Sequence, residues 1–139
     1  MFSKMMVPVD MEHLEAQHKA LQVAADLARR HNIEVVYVGI TGIAASSAAK
    51  TPEEYAKDLA LFARQQAEQH DIATSSEALA CVDVAADKDA RLLQAALDCA
   101  ADLIVMASHV PDVADRLHLI GSNAAWLVRH SEVSVFVVR

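Results

Sequence analysis

Apolar and polar positions divide the chain into five short apolar runs separated by four longer stretches with helical spacing. Lys4 to Val9 (Lys-Met-Met-Val-Pro-Val) is apolar nearly throughout, as in a strand covered on both faces. Pro8 has no ladder donor and so belongs at the strand's end, with Asp10 in the loop beyond. From Glu12 to His31 the spacing is helical: Leu14, Leu21, Ala25 and Ala28 share a face that Ala24 and Leu27 widen. Glu12 and Glu15 lie toward its front and Arg29 and Arg30 in its last turn, as the helix dipole favours. Asn32 ends the helix and Ile33 to Ile40 forms a second strand. Strand, helix, strand is the right-handed crossover unit of a parallel sheet.

Thr41 to Lys50, rich in Gly, Ala and Ser, reads as a loop. Thr51-Pro52-Glu53-Glu54 then opens a helix, with Thr51 as N-cap and Glu54 three residues on. Its packed stripe is Tyr55, Leu59, Phe62 and Gln66, and it stops near His70-Asp71. Ser75 to Val82 is a less apolar strand, suited to a sheet edge. Val84 to Lys88 reads as a turn, with Asp87 or Asp89 capping a third helix whose stripe is Ala90, Leu93, Leu97 and Ala100. Leu103 to Met106 is a fourth buried strand, Ser122 to His130 a last helix and Val133 to Val138 a last strand. The alternation predicts an α/β fold, a three-layer α/β/α sandwich on a five-stranded parallel sheet, in a single domain over residues 1–139. Ligands on such sheets bind at the C-terminal strand ends where the strand order reverses. If the first and fourth strands are neighbours there, Asp10 and the Ala107 to Ser122 segment face one crevice.

Composition narrows the function. A chain of 139 residues buries enough surface to need no disulfide or metal staple. Ala supplies much of the 54% hydrophobic content, and no apolar run reaches the roughly 20 residues of a bilayer span. The N-terminus lacks a signal-peptide pattern. Cys81 and Cys99 are not spaced as a metal pair and read as buried thiols, so a cytoplasmic location is expected. A net charge of −7 opposes nucleic-acid binding, whereas a small anion needs only a local positive pocket.

The chain has neither G-x-x-x-x-G-K-[ST] nor G-x-G-x-x-G, and Gly39-Ile-Thr-Gly42 has no lysine after it. Gly121-Ser122-Asn123 is the better phosphate candidate, a glycine opening a helix whose first N–H groups have no internal partner. The same residues also suit a plain turn with Ser122 as N-cap. Asp10 suits a ribose hydroxyl, a metal-bound water or the capping of the next helix. His109 and His118, with Arg116 between them, could form a positive lip. No catalytic nucleophile and no metal-binding histidine pair stand out. Val133 to Val138 is strongly β-forming and uncharged until Arg139, suited to a two-fold dimer edge or to burial within its own sheet. Trp126 suits either a subunit contact or the core.

The whole chain resembles the universal stress protein (UspA) family. The resemblance runs through Met6-Val7-Pro8-Val9-Asp10, Val36-Tyr37-Val38 and Ala101 to His109, and is strongest from Gly121 to Arg139. Ser108-His109 and Pro111-Asp112 look most like its short bacterial single-domain branch, the TeaD type associated with ectoine transport. The resemblance implies a Rossmann-like, adenine nucleotide alpha hydrolase-like sheet with strand order 3-2-1-4-5. It also implies homodimers joined through the last strand, a dimer of dimers as a further step, and ATP, with Mg²⁺, in the crevice. Nucleotide-binding members carry G-x2-G-x9-G-[ST]. Only Gly121-Ser122 matches here, the earlier glycines corresponding to Ala107 or Ser108 and to Val110 or Pro111. Carried over by position, Pro8, Val9 and Asp10 border adenine and ribose, Val38 the adenine, Ala107, Ser108 and His109 the ribose and phosphates, Gly121, Ser122 and Asn123 the phosphates, and Ser134 and Val135 the remaining wall. Three functions compete: an ATP-binding stress-response regulator acting on a protein partner such as a transporter, a nucleotide-independent dimeric adaptor, and a slow ATP hydrolase.

Overall fold

The computed structural model describes residues 1–43, 50–108 and 121–139. Among them five strands alternate with four α-helices: β1 (Lys4–Pro8), α1 (His18–His31), β2 (Glu34–Gly42), α2 (Pro52–His70), β3 (Thr74–Cys81), α3 (Val84–Asp98), β4 (Leu103–Ala107), α4 (Gly121–His130) and β5 (Ser134–Val138). The strands form one parallel sheet in the order β3-β2-β1-β4-β5, as the resemblance implies. Two buried clusters cover its faces. Met5, Val7, Val35 and Tyr37 pack with Leu21, Ala24 and Ala28 of α1 and Leu59, Phe62 and Ala63 of α2. Met6, Val36, Val38, Ile104 and Met106 pack with Leu92, Ala95 and Ala96 of α3 and Ala124 and Leu127 of α4. The all-apolar reading of β1 and β4 follows from this double coverage.

Local signals hold at several helix ends. Thr51 Oγ1 accepts from Glu54 N at 3.2 Å while Glu54 Oε2 accepts from Thr51 N at 3.4 Å, a complete capping box. Asn32 ends α1 in the left-handed region, at φ 55°. Gly39 and Gly42 lie inside β2 rather than in a phosphate loop. Cys81 and Cys99 are free thiols. Most of the expected Thr41 to Lys50 loop falls outside the described residues.

Two elements differ from expectation. α1 begins at His18, not Glu12, preceded by a 3-10 turn at Glu15–Gln17, and its first turn holds no acid. Side-chain hydrogen bonds within the preceding loop turn the chain there before a helix can start. Val84 to Lys88 is the first part of α3 rather than a turn, and Asp83, not Asp87 or Asp89, is its N-cap, accepting from Ala86 N at 3.1 Å. The inward stripe is accordingly Lys88, Leu92, Ala95 and Ala96, while Leu97 is 56% exposed. A lysine at the head of the stripe hides its phase from an apolar pattern.

The N-terminal segment is tied to β4 by Asp102. Its carboxylate accepts from Ser3 N (2.9 Å), Lys4 N (3.1 Å) and Ser3 Oγ (3.0 Å). Desolvation acts to raise this carboxyl, but the hydrogen bonds outweigh it and hold the group below its usual range. Asp102→Ala should lower Tm by about 5 °C at pH 7. A depressed folded-state carboxyl contributes stability above its unfolded pKa and loses it as pH falls through the folded value. Thermal melts of the two proteins should therefore converge below about pH 4.

Candidate functional site

At the C-terminal edge of the sheet, the chain leaves β1 toward the α1 face and β4 toward the α4 face. This reversal of winding opens a crevice between them. β1 registers with β2 along its length, from Lys4 opposite Glu34 to Pro8 opposite Val38, whereas its registered pairs with β4 are Met5 with Leu103 and Met6 with Ile104. Pro8 ends β1, and Val9 N donates to Val38 O at 2.8 Å. Val38 itself has no exposed surface and lies within the sheet. On the other side, Ala107 and Ser108 are half-buried at the end of β4, and Ser108 N donates to Val138 O at 2.7 Å.

Asp10 sits at the β1 rim and organises the loop that follows. Its Oδ1 accepts from Glu12 N at 3.0 Å, an Asx turn, and its Oδ2 lies 2.8 Å from His13 Nδ1. The carboxylate is only 9% exposed. Gln17, which is 3% exposed, closes the loop: Oε1 accepts from Asp10 N (2.9 Å) and Nε2 donates to Asp10 O and His13 O (both 2.8 Å). Asp10 thus caps a turn rather than α1, and its carboxylate has acceptor capacity beyond these two contacts. Asp10, Glu12 and His13 each bring one potential metal-ligand atom within 4.8 Å of the others, a closeness that the turn's own hydrogen bonds explain.

Two further side chains at this rim escape a reading of the sequence. Tyr55, in the first turns of α2, lies over Gly39, so close that a Cβ there would stand 2.2 Å from its hydroxyl. Burial, then the charges of Asp10 and Glu12, push that hydroxyl up to about 12. Lys88 heads the inward stripe of α3 and is 5% exposed. Desolvation pushes its ammonium below the ordinary lysine value, opposed by Asp89 and Asp10. Its sequence signal is the spacing Lys88, Leu92, Ala95, Cys99, legible only once α3 is known to begin at Val84.

Gly121, Ser122 and Asn123 form the first turn of α4, so the expected helix start stands at the β4 side of the crevice. Their side chains, together with His109 and Arg116, lie outside the described residues. Ser134 and Val135 do not belong here. They open β5 opposite Leu103 and Ile104, at the other end of the sheet, because a parallel strand entering from α4 starts at the N-terminal edge. With Phe2, Leu27, Ile33 and Phe136 they line a separate apolar cavity of about 330 Å³. Trp126 is half-buried against the second cluster, its ring stacked on His130 at 4.2 Å. His130 Nδ1 lies 2.8 Å from the Trp126 carbonyl, a helix C-terminal contact.

The model of the universal stress protein family matches residues 1–139. Universal stress protein G of Salmonella typhimurium is 26% identical over 150 residues, covering all of both chains. A universal stress protein structure from Archaeoglobus fulgidus superposes with TM-score 0.71 at 19% identity, again over all of both chains. Another from the same organism, in complex with dAMP, superposes with TM-score 0.68 at 17% identity, over 99% of this chain and 98% of that one.

Proposed function

The chain belongs to the universal stress protein family, and from that premise we propose that it is a cytoplasmic, homo-oligomeric regulator whose crevice binds an adenine nucleotide, ATP in the first instance. The observation that carries the reading is the reversal between β1 and β4. It puts the Asp10 loop after one of two adjacent strands and α4 after the other, and the first N–H groups of a helix have no partner within it, which supports an anion site there. The dAMP-bound relative supports an adenine ligand. Asp10 and Glu12 supply carboxylate oxygens at this rim, the ligand type that Mg²⁺ takes alongside phosphates.

Calorimetry with ATP, ADP and AMP tests the binding. Saturable heat with at least one supports it, and none with all three leaves a nucleotide-independent adaptor. The half-buried Ala107 and Ser108, where glycines would admit a backbone closer to phosphate, favour that second reading.

The oligomer is assigned to β5. It is a sheet edge, with Phe136 43% exposed on the α1 side. An uncovered β-forming edge of this kind pairs readily with a second copy. Light scattering should show the parent as a dimer or a dimer of dimers, and Phe136→Asp as a monomer. A variant that keeps the parent's mass would remove the assignment.

A further inference from the structure

The apolar cavity of about 330 Å³ lies at the N-terminal edge of the sheet, at the opposite end from the crevice, and takes no part in the nucleotide reading. Its origin is a shortage of cover. On this face two helices, α1 and α2, pack over five strands, and α1 reaches as far as β5. It closes on that strand at one end. Lys19 Nζ donates to Arg139 O at 2.6 Å, and Val138 is buried in the first core cluster. Toward the start of β5 the cover is lost, as a straight helix on a twisted sheet allows: Phe136 is 43% exposed and Ser134 is exposed. The space that remains is bounded by these two, by Leu27 and His31 of α1, and by Phe2 and Ile33.

Ser134 and His31 bring the polar side chains of this lining, and the rest of it is hydrocarbon. A sugar or a peptide would lose its hydrogen bonds to water there and find few in return, whereas an apolar chain with one polar end loses little. At about 30 Å³ for each water-sized group, the space takes about ten of them. Charge sets the polar end. His31 stands at the exposed rim, with Arg29 and Arg30 beside it in the last turn of α1. The acids next to lining residues are engaged, Glu34 with Lys4 at 3.6 Å and Asp102 with Ser3 N and Lys4 N. Glu132, two residues before Ser134, stands against the basic turn. We propose that this cavity binds a medium-chain fatty acid of about ten carbons, its chain against Leu27, Ile33 and Phe136 and its carboxylate at the His31 rim. Pairing of β5 with a second copy uses the backbone at the strand's edge, whereas the cavity opens on its face, so the two are compatible.

The test is calorimetry on the full chain with hexanoate, octanoate, decanoate, tetradecanoate and decanol. Affinity should rise by about fourfold for each methylene that enters the cavity and level off beyond about ten carbons. Decanol should bind about fivefold more weakly than decanoate, the scale of one exposed ion pair, and His31→Glu should remove that difference. Ser134→Trp places an indole at an exposed strand position that tolerates it, fills the space and should weaken decanoate by about tenfold or more. Leu27→Phe is the substitute should circular dichroism show that variant unfolded. Affinity that keeps rising to tetradecanoate marks adsorption on exposed apolar surface and overturns the inference, as does unchanged decanoate binding in the filled variant. Equal affinity for decanol removes the carboxylate and the fatty acid with it. A parent that binds none of the five compounds also overturns the inference, and a dimer by light scattering would then assign the cavity to the second copy.

Discussion

Gln17→Leu is expected to destabilise the protein by about 3 kcal/mol and to weaken the proposed nucleotide binding by about tenfold or more. The residue makes three hydrogen bonds from a nearly sealed position, to Asp10 N, Asp10 O and His13 O. A leucine of similar volume fills the space but leaves the Asp10 N–H without its acceptor and removes a donor from two carbonyls, of which Asp10 O keeps the bond from His13 N at 3.1 Å. The loss is larger than that of an average surface hydrogen bond because water cannot replace the partner in a part-buried loop. The binding effect is separate in origin. Gln17 pins the Asp10 backbone from both sides, and under the proposed nucleotide reading a loop freed there would have to be ordered again by the ligand. Urea unfolding reads the first effect and calorimetry the second. A variant that unfolds like the parent would show that the Asx turn and the His13 contact suffice to hold the loop.

Gly39→Ala should cost about 2 kcal/mol, the scale of an overpacked core position. The backbone at this glycine is not in the left-handed region, so the cost is one of space alone. A Cβ would meet the Tyr55 hydroxyl at 2.2 Å and ring carbons at 3.0 and 3.1 Å. The tyrosine must swing outward, and its ring then gives up contacts with the first core cluster. The double variant Gly39→Ala/Tyr55→Ala should therefore be hardly less stable than Tyr55→Ala alone, a coupling that a double-mutant cycle in urea measures directly. Additive losses would place the clash elsewhere. Because Tyr55 reaches the rim beside Asp10 and Glu12, Gly39→Ala should also perturb ligand affinity, with Tyr55→Ala in the same direction.

These two residues show where a linear reading stops. Gln17 looks like one more polar residue on a helix, and Gly39 like a strand glycine of no consequence. Each matters through a partner that the chain brings to it from elsewhere, α2 over β2 in one case and the reversed course of the Asp10 loop in the other.

The five strands, the burial of β1 and β4 on both faces, the Thr51 capping box and the edge position of β3 were determined by the sequence alone. They follow from the period of apolar residues and from local backbone chemistry, which act over a few residues. The family follows likewise from short motifs at strand ends. The tertiary structure alone decided the phase of α3, the start of α1 and which side chains gather around Asp10. In Ala-rich helices several faces are nearly equally apolar, so the buried one is chosen by what packs against it, and a lysine can stand at its head. Polar groups at a strand end acquire their roles from partners across the fold. The same packing placed Ser134 and Val135 at the far end of the sheet and brought Gln17, Tyr55 and Lys88 to the rim that Asp10 marks.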